Sequence, residues 1–120
     1  MADSLEDLTL AVRKFADDRD WHQFHSPKNL AMALIVEAGE LVEHFQWLSR
    51  QQSLDLDDKQ RRAVSLEMAD VLIYLVRMAD RLNIDLLRAA EDKIAINAEK
   101  YPAERSCGRA DKSTAYRQNP

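Results

Sequence analysis

Four carboxylates stand out by type and spacing. Glu37 and Glu40 lie three residues apart in one segment, and Glu67 and Asp70 lie three apart in another. On a helix, residues at that spacing share a face. The first pair sits in Leu30–Leu48, whose first half is apolar all round and is therefore expected to be buried on most sides. In the second segment, Ala63–Ala79, the polar residues are Ser65, Glu67, Asp70, Tyr74 and Arg77. Apart from Ser65 they step along one narrow stripe of an otherwise apolar helix. Ionised carboxylates removed from water need cations, because desolvation alone is costly. Three readings follow: a solvated acidic face, buried ion pairs with Arg77 or Arg81, or a cluster that holds a hard divalent cation. Apolar flanks on both helices favour the cluster. Oxygens from Glu37, Glu40, Glu67 and Asp70, completed by water, suit Mg²⁺.

Other chemistries lack their residues. A di-iron bundle needs Glu-x-x-His pairs, which are absent. His22, His25 and His44 do not form a zinc pattern. With only two glycines there is no phosphate-cradling glycine-rich loop. Lys93, Asn97 and Lys100 are spaced four and three apart and could meet phosphate oxygens. Spacing alone favours an ordinary solvated face with lysines suited to a helix C-terminus.

Helices must position these groups. The first is expected from Leu5 to Asp18, with Ser4 and Asp7 resembling a capping box and Leu5, Leu8, Val12 and Phe15 on one face. The loop Arg19–His25 holds Trp21 and Phe24, which must pack on or bind something. Ser26-Pro27 starts a second helix that reaches about Leu48. It carries Gly39 between the glutamates, a residue tolerated where a backbone or ligand approaches closely. Trp47 lies on the Glu40 stripe. Ser49–Leu56 shows no clear period. Asp57 or Asp58 caps a third helix that ends at Leu82, with Val64, Met68, Val71, Leu75, Met78 and Leu82 as its core stripe. Asn83 closes it, Asp85 opens a fourth helix from Leu86 to about Lys100, and Tyr101-Pro102 ends that one. The reading is an all-α, four-helix bundle over residues 1–102 and a flexible tail over 103–120.

The 120 residues fit one domain, with 46% hydrophobic and 32% charged residues. A net charge of −4 gives no general attraction to nucleic acid polymers or anionic membranes. The longest apolar run, Leu30–Val36, is too short to span a bilayer. Cys107 is the single cysteine and cannot form an intrachain disulfide. The start, Met1-Ala2-Asp3-Ser4, lacks a signal-peptide pattern. Together these features lead to the expectation of a cytoplasmic protein.

Beyond these physical readings, Glu37-x-x-Glu40 followed by Glu67-x-x-Asp70 resembles the signature of the all-α nucleoside triphosphate pyrophosphohydrolases, the MazG-like superfamily. Arg19-Asp20-Trp21, Gln23-Phe24-His25, Phe45-Gln46-Trp47, Asp70–Leu75 and Asn97 through Tyr101-Pro102 are similar to its dCTP pyrophosphatase branch, a likeness that covers Leu5 to Pro102. The resemblance implies that Glu37, Glu40, Glu67 and Asp70 bind Mg²⁺. It implies that Trp21, His25, Trp47 and Tyr74 frame base and sugar, and that Lys93, Asn97, Tyr101 and Lys100 reach the phosphates. It implies a homo-oligomer, a dimer or dimer of dimers. A water oriented by Glu37 or Glu40 would attack the α-phosphorus of dCTP, releasing pyrophosphate and dCMP. In one departure, Val12 stands where some relatives of this branch carry a histidine, which removes one polar contact to the ligand. The competing readings are a broader dNTP or dUTP pyrophosphohydrolase, a non-catalytic nucleotide- or partner-binding module, and a structural bundle with buried acid–Arg pairs.

Overall fold

The described residues form six α-helices and one 3-10 turn in chain order: α1 Leu5–Asp18, the 3-10 turn His22–Phe24, α2 Pro27–Glu43, α3 Arg50–Leu54, α4 Asp58–Leu82, α5 Leu86–Lys100 and α6 Ala103–Ser106. The computed structural model describes residues 2–110, and no strand occurs among them. The all-α class is as expected, whereas the four-helix count is not. The chain divides into two compact units, one up to Ile84 and one from Asp85 onward.

Side-chain caps set most helix boundaries. The Ser4 hydroxyl accepts from Asp7 N at 3.0 Å, satisfying one of the free donors of the first turn. The Asp7 carboxylate accepts not from Ser4 but from Asp3 N, at 3.3 Å, because aspartate is shorter than the glutamate of a full capping box. Ser26 caps α2 over Pro27. Asp57 and Gln60 form a reciprocal capping box at the start of α4. Asn83 ends α4 in the left-handed conformation, φ 55°, which asparagine tolerates better than most residues.

Three segments differ from the sequence reading. α2 stops at Glu43, and residues 44–47 continue only as turns. The aperiodic stretch after Leu48 contains α3, held by a Ser49–Gln52 capping box. One turn of helix is too short to show a hydrophobic period, so only its cap residues marked it. Within the segment assigned to a tail, Ala103–Ser106 form α6; residues 111–120 of that segment lie outside the described residues.

In the first unit α4 is the central element, with α2 and then α1 packed on it. The buried apolar residues are Ala16 from α1, Leu30 from α2, and Val64, Val76 and Ala79 from α4. This core is smaller than the sequence led us to expect. Of the proposed α4 stripe only Val64 is buried; Met68, Leu75 and Leu82 are exposed. On α2, Met32, Ile35 and Val36 are exposed at 57%, 66% and 58%. The apolar periodicity of α2 and α4 therefore marks more surface than one chain covers. Gly39 also departs from expectation: a Cβ there would meet nothing within 4 Å, so no backbone approaches it within the chain.

The connection from α1 to α2 is fixed by its own polar groups. Asp20 adopts φ 52°, and the Gln23 amide donates to both its carbonyl, at 3.1 Å, and its carboxylate, at 3.0 Å. The Asn29 amide donates to the Phe24 carbonyl at 3.0 Å. Arg19 lies 3.6 Å above the Phe15 ring, a cation–π contact that adds to this local order.

Candidate active site

The polar stripe of α4 faces inward, as its spacing required. Glu67 and Tyr74 are half-buried and Arg77 is 2% exposed, although Asp70 stays open to solvent. Packing α2 against α4 brings Glu37 to this stripe. One carboxylate oxygen each from Glu37, Glu67 and Asp70 lies within 4.8 Å of the others. Oε2 of Glu37 and Oε2 of Glu67 are buried without a hydrogen-bond partner. Buried acceptors left unmatched are costly and rarely persist without a partner.

The electrostatics agree with that geometry. Burial, then the hydrogen bond and charge of Glu40, then the charges of Asp70 and Glu67, push the Glu37 carboxyl up to about 7. Like charges held together favour the protonated form, and a cation would reverse this. Neither arginine of the ion-pair reading serves these acids. Arg77 Nη1 donates to Asp80 at 3.1 Å, and Arg81 Nε donates to the His25 carbonyl at 3.0 Å. His44 Nε2 lies 3.7 Å from Glu67 Oε1, beyond hydrogen-bond distance. The donor set is all oxygen, partly buried and strongly anionic, which fits a hard divalent cation. Glu40 is half-buried beside Glu37 but outside the three-acid group.

A cavity of about 340 Å³ opens beside the acids. Its wall includes Ala11, Val12, Phe15 and Ala16 of α1, Trp21 and His25 of the connection, and Asp70, Ile73, Tyr74 and Arg77 of α4. The structure thus gathers Trp21, His25 and Tyr74 in one pocket, and Asp70 belongs to both pocket and acid group. Trp21 meets Phe15 edge-on with centroids 5.7 Å apart and His25 with centroids 6.1 Å apart. Val12 adds an apolar wall. Volume and lining match a site for one ring-bearing small molecule.

Trp47 does not join this pocket; it lies beyond the end of α2 and is 87% exposed. Lys93, Asn97 and Lys100 share one face of α5 in the second unit, and Tyr101 is the C-cap residue of that helix. Sequence reasoning missed a polar network beneath the pocket. Arg13 pairs with Asp80, Asp80 with Arg77, and Arg77 Nε donates to His25 Nδ1 at 3.1 Å. Arg13 and its charge hold the Asp80 carboxyl below the usual range against the opposing effect of burial. Arg13 and Asp80 are 67 positions apart and on different helices, so no local spacing announces the pair.

A MazG-like family model matches residues 32–114. dCTP pyrophosphatase 1 of Rattus norvegicus is 45% identical over 92% of this chain, and that of Homo sapiens is 44% identical over 83%. The chain spans 66% of the length of the rat protein and 60% of the human one. The crystal structure of a pyrophosphatase from Archaeoglobus fulgidus superposes with a TM-score of 0.78 at 37% identity, covering 85% of this chain and 95% of that one. The chain belongs to the MazG-like family.

Proposed function

We propose that this chain is a Mg²⁺-dependent nucleoside triphosphate pyrophosphohydrolase that converts dCTP and water to dCMP and pyrophosphate. The carrying observation is the juxtaposition of the acid group of Glu37, Glu67 and Asp70 with a ring-sized pocket through the shared Asp70. The named relatives at 44–45% identity support dCTP as the substrate.

Glu37, Glu67 and Asp70 would hold the metal, with Glu40 beside them. Bound Mg²⁺ would offset the charge of the triphosphate and make the α-phosphorus more electrophilic. Glu40, left out of the three-acid group, is the carboxylate that orients the attacking water and accepts its proton. The water oxygen bonds to the α-phosphorus, the bond from that phosphorus to the bridging oxygen breaks, and pyrophosphate leaves with the electron pair. Trp21 and Tyr74 supply ring faces and edges for the base, and His25 a polar contact. The family resemblance assigns the phosphate oxygens to Lys93, Asn97, Lys100 and Tyr101.

The same reading includes a homo-oligomer, a dimer or a dimer of dimers. Its support is the apolar surface that one chain leaves uncovered, Met32, Ile35 and Val36 on α2 and Met68, Leu72 and Leu75 on α4. Isolated exposed apolar residues are ordinary, but a continuous helical face of them marks an interface. Trp47 is exposed as well, and its role at the base is expected only in the assembly. The described helices include none long and apolar enough to cross a membrane. A nucleotide-pool enzyme would work in the cytoplasm, where a lone exposed thiol such as Cys107 persists.

Phosphorus NMR of the products tests the bond cleaved. Pyrophosphate and dCMP support this reading; orthophosphate and dCDP would place the attack at the γ-phosphorus and overturn it.

A further inference from the structure

Arg77 is the one buried charged side chain among the described residues, 2% exposed, and its Nε lies 3.1 Å from His25 Nδ1. An arginine Nε can only donate, so His25 Nδ1 must present a lone pair. A neutral His25 then carries its proton on Nε2. A doubly protonated ring would set two N–H groups against each other, and a ring turned over would put a carbon where the acceptor stands. Arg77 cannot readily yield, since Asp80 accepts from its Nη1 at 3.1 Å and is itself gripped by Arg13. The backbone of His25 is tied as well, its carbonyl accepting from Arg81 Nε at 3.0 Å.

The charged and titratable groups around His25 are Arg77 and Arg81 of α4 and His22 of the 3-10 turn, with Asp70 and Tyr74 of α4 in the same cavity wall. The α1 side contributes apolar residues to that wall, and Arg13 acts only through Asp80. Burial first, then Arg77, Arg81 and His22, hold the imidazole below its ordinary range. Its Nε2 makes no hydrogen bond among the described residues.

We propose that Arg77 is a positioning residue that fixes His25 as the neutral Nε2–H tautomer, so that the pocket presents a single hydrogen-bond donor to a ring carbonyl of the bound base. The proposal rests on the nucleotide reading above and deepens it. A base that brings an N–H or amino group to this place leaves two donors facing each other and is rejected, because an unmatched polar group in a closed site is costly. The signal is a chain of contacts, Arg13 to Asp80 to Arg77 to His25, that lets α1 and α4 determine the protonation of a group on the connecting loop.

The test begins with ¹⁵N-labelled, ligand-free protein, its His25 ring nitrogens assigned with His25→Gln and read by long-range proton–nitrogen correlation. Between about pH 6 and 8, an unprotonated Nδ1 and a protonated Nε2 are expected. Arg77→Gln should give mixed tautomers and move protonation up toward the ordinary range without reaching it, because burial, Arg81 and His22 remain. The same substitution should raise KM for dCTP about tenfold while kcat stays within about threefold, and Arg77→Lys should recover part of the loss. If Arg77→Gln does not fold, His25→Gln and His25→Asn decide. The Gln amide nitrogen stands near Nε2 and should retain binding; the Asn amide nitrogen stands near Nδ1 and should not. A wild-type His25 protonated on Nδ1, or in a mixture of tautomers, overturns the proposal. So does a KM for dCTP that is indifferent to all four substitutions. The spectrum needs no turnover, so absent dCTP hydrolysis with the expected tautomer counts against the nucleotide reading rather than against the Arg77–His25 contact.

Discussion

Replacing Glu37 with glutamine should stabilise the metal-free protein and abolish its response to Mg²⁺. In the folded chain the Glu37 carboxyl is pushed from 4.5 up to about 7. The folded state therefore holds a proton that the unfolded chain has released. Stability associated with that proton is present at low pH and is lost as pH rises through 4.5 to about 7. A shift of that size corresponds to at most roughly 3 kcal/mol by linkage. Water reaching the half-buried group reduces this to about 1–2 kcal/mol. Glutamine keeps the shape and removes the charge, so at about pH 8 the metal-free variant should melt roughly 3–8 °C above wild type. At about pH 4, where the Glu37 carboxyl is mostly protonated in the folded and the unfolded chain alike, the two should coincide within about 1–2 °C. The assay is thermal unfolding at fixed protein concentration, with EDTA or with Mg²⁺. Saturating metal at about 100 times its Kd should stabilise wild type by roughly 2.7 kcal/mol. The variant should show little of this. A variant that melts below wild type in EDTA at the higher pH would mean that Glu37 makes a stabilising contact instead. An undiminished Mg²⁺ response would remove Glu37 from the metal site.

Four further outcomes follow from the same geometry. Glu67→Ala and Asp70→Ala should each lower turnover by at least about a hundredfold while circular dichroism still reports a folded helical protein; near-wild-type rates in saturating Mg²⁺ would refute the acid-group assignment. Trp21→Ala removes a pocket wall and should raise KM for dCTP by about tenfold to a hundredfold, the range of one lost base–aromatic contact, as steady-state kinetics will show. Trp47→Ala exposes no core, so the stability of the unassembled chain should change by less than about 0.5 kcal/mol; nucleotide affinity and sedimentation should report its loss if the assembly completes the site. Asp57→Ala breaks the capping box of α4 and should cost about 1 kcal/mol in chemical denaturation, with no change in KM.

Much of the first unit was legible because its signals are local. Ser4, Ser26, Asp57 and Asn83 mark helix ends by hydrogen bonds that reach only three or four residues, and each forms. The polar stripe of Glu67, Asp70, Tyr74 and Arg77, inward except at the exposed Asp70, was legible because it is a single polar line on an otherwise apolar helix. α3 escaped notice because five residues carry no period. The core was overestimated because hydrophobic spacing marks an apolar face, not whether the chain itself buries that face. Met68 and Leu75 illustrate this, apolar and in register yet exposed. The Arg13–Asp80–Arg77–His25 network was invisible because it joins three separate elements whose proximity only folding creates.

Pyrophosphate release from dCTP, dTTP, dUTP, dATP and dGTP, each with Mg²⁺ and with EDTA, reads bond cleavage, metal dependence and base preference together. The proposed chemistry gives metal-dependent release with dCTP foremost, lost in Glu67→Ala and Asp70→Ala. Release that survives EDTA, or a folded, metal-binding protein that releases pyrophosphate from none of the five, would contradict it.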